Sequence, residues 1–168
     1  AKAAHRKVPV SGFVLFVYYF MWGFNGVEHI ELDHGYQFHG EETTKGSLRL
    51  TGKISGENHP FINDFKFVKQ FEEDGIEAKQ TIPDPAQFLA ELFRGKNGEN
   101  TRKVYPNTEE LIKDIAKAYT TFFKEIYEAG CRTLQLDDCT WGMIVDDDFW
   151  MHVSTTLWVT PSTTTSRL

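Results

Sequence analysis

The clearest pattern along the chain is the change from a helical to a strand period near its C-terminal third. Leu111, Ile112, Ile115, Ala116, Tyr119, Phe122, Phe123, Ile126 and Tyr127 recur at three- and four-residue steps and predict one long amphipathic helix. Asn107-Thr108-Glu109-Glu110 supplies a capping box at its start, and Gly130 a stop. Immediately afterwards, Leu134 and Leu136 alternate with Thr133, Gln135 and Asp137, the two-residue period of a strand with unlike faces.

The same reasoning places two shorter helices. One starts near Pro60, carries Phe61, Phe65, Val68 and Phe71 on one face, and stops at the turn signal Asp74-Gly75. The other starts at Asp84-Pro85-Ala86-Gln87, with Asp as N-cap, Pro at the first helical position and Gln completing a capping box, and runs to about Phe93. Strands are predicted at Val27–Leu32, Ser47–Ile54, Ile76–Ile82 and Thr133–Asp137. The polar stretch Arg94–Tyr105, rich in Gly and Asn, reads as a connection. Strands alternating with helices in this order predict an α/β architecture with a parallel sheet.

Both ends depart from this pattern. Gly12–Phe24 is almost wholly apolar and follows Arg6 and Lys7, in the manner of a signal peptide or anchor. It falls short of the roughly 20 residues of a spanning helix, and no small-x-small cleavage pattern follows it. Residues 1–21 are therefore set apart as an atypical apolar segment, and residues 151–168, rich in Ser and Thr, as a disordered tail.

Composition narrows the function classes. With 168 residues the chain is too short for a complete (β/α)8 barrel, which takes about 250. Its 40% hydrophobic and 25% charged content is that of a globular protein, and 14 Phe with 4 Trp provide for an aromatic core or cleft. A net charge of −6 argues against nucleic acid or an anionic membrane as partner. Cys131 and Cys139 bracket one strand and cannot bridge without breaking it, which fits a reducing cytoplasm.

Candidate chemistry gathers at strand ends, where α/β proteins carry their sites. Asp137 ends the Thr133–Asp137 strand on the same face as Gln135. Its carboxylate could hold a substrate ammonium group or act as a general base. The plainer alternative is that Asp137 or Asp138 caps the next element or faces water. Thr81, with the amides of the helix after it, could face an anionic ligand unless Asp84 occupies those amides. His34-Gly35-Tyr36-Gln37-Phe38-His39-Gly40-Glu41-Glu42 matches no standard zinc spacing, and Asp146-Asp147-Asp148 lacks the rest of a calcium loop. No phosphate-cradling glycine loop or nucleophile elbow occurs.

Several phrases together resemble the short bacterial relatives of cobalamin-independent methionine synthase. They are Trp22-Gly23-Phe24-Asn25-Gly26-Val27-Glu28, Leu50-Thr51-Gly52-Lys53-Ile54, Asn58-His59-Pro60-Phe61, Lys79-Gln80-Thr81-Ile82-Pro83 and Ala129 through Gly142. The resemblance covers about Trp22 to Trp150 and implies an incomplete (β/α)8 TIM-barrel fragment with parallel strands over residues 22–150. It implies a methyltransferase of methionine biosynthesis that moves a methyl group from a methylated folate to homocysteine, with zinc activating the thiol. Asp137 would hold the amine of the amino-acid substrate, and Gln135, Thr81 and Trp141 complete the expected substrate-binding set. No catalytic residue is assigned.

Two departures qualify this. The family's zinc ligands begin with a His-x-Cys motif, which this chain does not contain, and an acidic Gly-Glu motif is missing upstream of Trp22. The expectation is a truncated or frame-disrupted copy, inactive alone. The competing readings are a non-catalytic remnant or binding module, a membrane protein anchored through residues 8–24, and another barrel enzyme using Asp137 on a different substrate.

Overall fold

The computed structural model describes residues 10–35, 37–38, 41–42 and 45–140. The chain divides into a first unit, Ala1–Asp137, and a second, Asp138–Leu168. All the secondary structure that follows belongs to the first: α1 (Val10–Met21), β1 (Asn25–Glu31), β2 (Gln37–Phe38), β3 (Glu41–Glu42), β4 (Gly46–Ser55), α2 (Phe61–Lys69), β5 (Lys79–Pro83), α3 (Pro85–Phe93), α4 (Asn97–Val104), α5 (Thr108–Glu128) and β6 (Thr133–Asp137). In the second unit, Asp138 Oδ1 accepts from the Thr140 N–H at 2.8 Å. The Asp146 triplet and the 151–168 tail lie outside the described residues.

The long helix forms where its period predicts. Leu111, Ile115, Ala118, Tyr119, Phe122 and Ile126 make its buried stripe. Ile112 and Tyr127, which share the apolar pattern, lie outside that stripe and are exposed. The Asn107 side chain accepts from the Glu109 N–H at 2.8 Å. The box is not closed by Glu110, whose carboxylate pairs with Lys53 at 2.9 Å. Gly130, at φ 98°, carries the chain out of the helix toward β6.

β5 and β6 form the parallel pair that the alternating pattern predicts, in the register Lys79↔Thr133, Thr81↔Gln135 and Pro83↔Asp137. α3, α4 and α5 make the crossover between them. The expected single parallel sheet does not extend further among the described residues. β1 and β4 pair antiparallel, Val27 opposite Leu50 and His29 opposite Leu48. The reason is the connection between them: its described residues form no helix to carry a crossover and contain their own small antiparallel pair, β2 with β3. Alternation alone reports faces, not strand direction.

Three boundaries also differ from expectation. Arg94–Tyr105 is not a loop throughout, because Asn97–Val104 is helical. That helix buries Asn97, Gly98 and Thr101. Its buried side is polar, so apolar periodicity could not announce it. Thr101 Oγ1 donates to the Leu92 carbonyl at 2.6 Å, and Asn97 Nδ2 to Ser47 Oγ at 3.1 Å. α2 stops at Lys69 and buries Phe61, Ile62 and Phe65. Val68 and Phe71 are exposed instead, and the expected strand from Ile76 begins only at Lys79. In α3, Asp84 caps as expected, but Gln87 turns its amide to Glu91 at 2.8 Å instead of closing the box.

The apolar N-terminal segment supplies part of the core. Val17, Tyr18, Phe20 and Met21 of α1 are buried with Phe24, Leu48, Phe61, Phe88, Tyr119 and Phe122. Tyr18 donates to the buried Glu91 carboxylate at 2.6 Å, tying α1 to α3. Among the described residues no helix is long and apolar enough to cross a membrane. The 12 residues of α1 reach about 18 Å against a hydrocarbon core of about 30 Å.

Candidate functional site at the ends of strands β5 and β6

Alternation along the two parallel strands sorts their side chains onto two faces. Gln80 and Ile82 of β5 share one with Leu134 and Leu136, and Ile82 is fully buried there. Lys79, Thr81 and Pro83 share the other with Thr133, Gln135 and Asp137. The fold thus brings Thr81, Gln135 and Asp137 together on one face; the two-residue period predicts this for Gln135 and Asp137, and the β5–β6 register adds Thr81. Trp141 lies outside the described residues.

Two hydrogen bonds link this face into a row. Lys79 Nζ donates to Gln135 Oε1 at 2.8 Å, and Gln135 Nε2 donates to Asp137 Oδ1 at 2.6 Å. Lys79 and Gln135 are exposed, while Thr81 and Asp137 are half-buried. Lys79 was not singled out from the sequence as a site residue. Its signal was its place two residues before Thr81 on the same strand face.

The strand ends are held from behind. The Asp84 N–H donates to the Asp137 carbonyl at 3.0 Å, extending the β5–β6 ladder by one step. Tyr119, from α5, donates its hydroxyl proton to the Pro83 carbonyl at 3.1 Å. Burial, and then the negative charge of Asp84, push the Tyr119 pKa well above that of an ordinary tyrosine, so the hydroxyl stays a neutral donor. The Asp84 side chain accepts from the Ala86 N–H at 2.7 Å, which puts a carboxylate in the place an anionic ligand would take at the start of α3.

Two other features attract notice and belong to the framework. His59 is buried among Phe20, Phe24, Phe61 and Phe122. Its Nδ1 accepts from the Phe61 N–H at 3.2 Å, so Nε2 carries the proton and donates to the Phe20 carbonyl at 2.9 Å. Both ring nitrogens are thereby used, and burial lowers the pKa to about 4. A cleft of about 390 Å³ opens between α2 and α5, lined by Asn58, His59, Asn63, Lys66, Glu125 and Glu128 among others. It includes none of the strand-end residues. There the Asn58 N–H, in a positive-φ conformation, donates to both Glu125 carboxylate oxygens at 3.0 and 3.1 Å.

No group of three His, Cys, Asp or Glu side chains among the described residues is arranged to hold a metal ion. In the His34–Glu42 stretch, Glu42 accepts from the Gly35 N–H at 2.6 Å, and Tyr36, His39 and Gly40 lie outside the described residues. Cys131 and Cys139 are thiols, and Cys131 is buried with its Sγ donating to the Thr133 carbonyl at 3.3 Å. The described donor set does not fit a zinc ion of thiol chemistry.

No family profile matches the chain. It is 36% identical over 130 residues to YxjH of Bacillus subtilis strain 168, and 33% identical over 129 residues to YxjG of the same strain, both uncharacterized proteins. These matches cover 77% and 76% of this chain but 33% and 32% of the relatives, so the chain spans about a third of the length of the curated relatives it matches. Its structure is similar to that of a Listeria monocytogenes chain solved as a candidate vitamin-B12-independent methionine synthase, with a TM-score of 0.55 and 33% identity. That match covers 80% of this chain and 36% of the other. The chain is thus related, in sequence and in structure, to a methionine-synthase-like protein.

Proposed function

We propose that the chain is part of a cobalamin-independent methionine-synthase-type methyltransferase, an incomplete (β/α)8 barrel carrying the strand pair that binds the amino-acid acceptor. The observation that carries this reading is the similarity to the Listeria monocytogenes chain, at 33% identity over 80% of this one. Two local features support it. The β5-to-β6 connection is a parallel strand–helix–strand unit, the element that such barrels repeat. Thr81, Gln135 and Asp137 share one face near the C-terminal ends of that pair, where barrel enzymes bind substrates.

In this reading the Asp137 carboxylate accepts a charge-assisted hydrogen bond from the ammonium group of a homocysteine-like thiol, and Gln135 and Thr81 flank it. Methylated folate is the methyl donor. In the complete enzyme, a bound zinc ion would supply the activation of the acceptor thiol as a thiolate. The described residues do not supply a ligand set for it. In this reading the chain on its own is inactive in methyl transfer. Two cysteines without a disulfide accord with a cytoplasmic location.

The test is an NMR titration of the isotopically labelled chain with L-homocysteine and L-methionine. Millimolar binding weakened at least about tenfold by Asp137→Asn is expected, the worth of a charge-assisted hydrogen bond. Binding indifferent to that substitution would remove Asp137 from the site. No binding at all would favour a non-catalytic remnant. Methyl transfer from a methylated folate by the purified chain would overturn its assignment as inactive.

A further inference from the structure

The row on the polar face of β5–β6 joins a group that can only donate to one that only accepts. Lys79 carries an ammonium, Asp137 a carboxylate, and the Gln135 amide sits between them. An amide can be turned end for end with almost no change of shape, so its polarity is set by its neighbours. Here one orientation is excluded. Turned over, the Gln135 oxygen would face the Asp137 carboxylate and its NH2 group would face the ammonium, and both contacts would be repulsive.

We propose that Lys79 is a positioning residue. Reaching across from the neighbouring strand, 56 residues earlier in the chain, it fixes the polarity of Gln135. Gln135 in turn engages Asp137 Oδ1 and restrains the carboxylate. Oδ2 is then the oxygen offered to a primary ammonium group. This last step rests on the reading of Asp137 as an amine-binding residue. The control of Gln135 by Lys79 does not.

The two can be separated in one set of measurements on the whole chain. The side-chain NH2 signals of Gln135, identified by their loss in Gln135→Leu, are recorded for the wild type, Lys79→Met and Lys79→Arg. Lys79→Met is expected to move that pair of signals, and Lys79→Arg, which keeps a donor-only cation, to restore them. With L-methionine as probe, Lys79→Met should bind about fivefold more weakly than wild type, the worth of one ordinary hydrogen bond. The same substitution should have no further effect in the Gln135→Leu background, because its influence passes through Gln135. Unchanged Gln135 signals in Lys79→Met would overturn the proposal whatever the probe does. Shifted signals restored by arginine, in a chain that binds no amino acid, would uphold the positioning and defeat the amine-site reading instead.

Discussion

Asn100 hydrogen-bonds both backbone groups of Leu50. Its Oδ1 accepts from the Leu50 N–H at 2.7 Å, and its Nδ2 donates to the Leu50 carbonyl at 3.1 Å. A side-chain amide thus stands where the backbone of another strand would stand, on the side of β4 away from β1. The arrangement satisfies the strand edge and closes it to further pairing.

Replacing Asn100 by Leu should therefore cost more than one ordinary hydrogen bond. Two partly buried backbone groups lose their partners, and each unsatisfied group costs about 1–3 kcal/mol. We expect Asn100→Leu to lower the unfolding free energy by about 3 kcal/mol in urea titration. Asn100→Asp keeps the acceptor but sets a carboxylate against the Leu50 carbonyl, and should cost at least as much. A change below about 0.5 kcal/mol in both would show that water replaces the amide without loss.

Tyr105 serves a position further along the same strand. Its hydroxyl oxygen accepts from the Ile54 N–H at 2.7 Å and its proton goes to Asp114 Oδ2 at 2.8 Å. Burial chiefly, with the Asp114 carboxylate adding to it, raises the hydroxyl's pKa above the ordinary tyrosine value. Tyr105→Phe should cost about 2 kcal/mol, since it leaves the buried Ile54 N–H without an acceptor. Asp114→Asn should cost less, and the two together less than their sum, because both act on one network. Strict additivity in denaturant unfolding would separate them.

How far the sequence disclosed this architecture follows from what each element buries. α5 was legible because its buried face is apolar and periodic; β6 was legible from alternation alone, since Leu134 is half-buried and Leu136 is 44% exposed. Lys79, Thr81, Gln135 and Asp137 come to one face for the same reason, since period-2 alternation survives even in a short strand. α4 was not legible. Its inward residues Asn97, Gly98 and Thr101 are polar or lack a side chain, and they are stable only because Ser47, Leu92 and Glu91 supply partners that lie elsewhere in the chain. The direction of β4 was hidden as well, because Leu48 and Leu50 alternate alike in parallel and antiparallel pairs.

The role of α1 is open to a direct comparison of adjacent residues. Phe20 is fully buried and its ring meets Phe24, Phe61 and Phe122 edge-on. Tyr19, its neighbour, is 52% exposed. Phe20→Ala should destabilise the chain by about 3–5 kcal/mol, the cost of emptying an aromatic site in a packed core. Tyr19→Ala should cost less than about 1 kcal/mol. Equal, small effects in thermal and urea unfolding would mean that α1 is not part of the cooperative core.

His59 makes the stability of this core depend on pH. Its ring is buried and both nitrogens are engaged, and it packs so close to the Gly23 backbone that a Cβ there would lie 2.4 Å from it. The folded-state pKa is lowered from 6.5 to about 4, with burial as the main cause. Between those values the unfolded chain binds the proton that the folded chain refuses. Stability contributed by the neutral ring is thus fully present above pH 6.5 and is lost as the pH falls toward 4. At about 1.4 kcal/mol per pKa unit, the loss is on the order of 3 kcal/mol. His59→Gln should flatten this part of the pH–stability curve while lowering stability at pH 7.5, since a glutamine cannot refill the ring's place among four phenylalanines. A wild-type curve with no slope between pH 6.5 and 4 that is attributable to His59 would show that the folded core admits the proton.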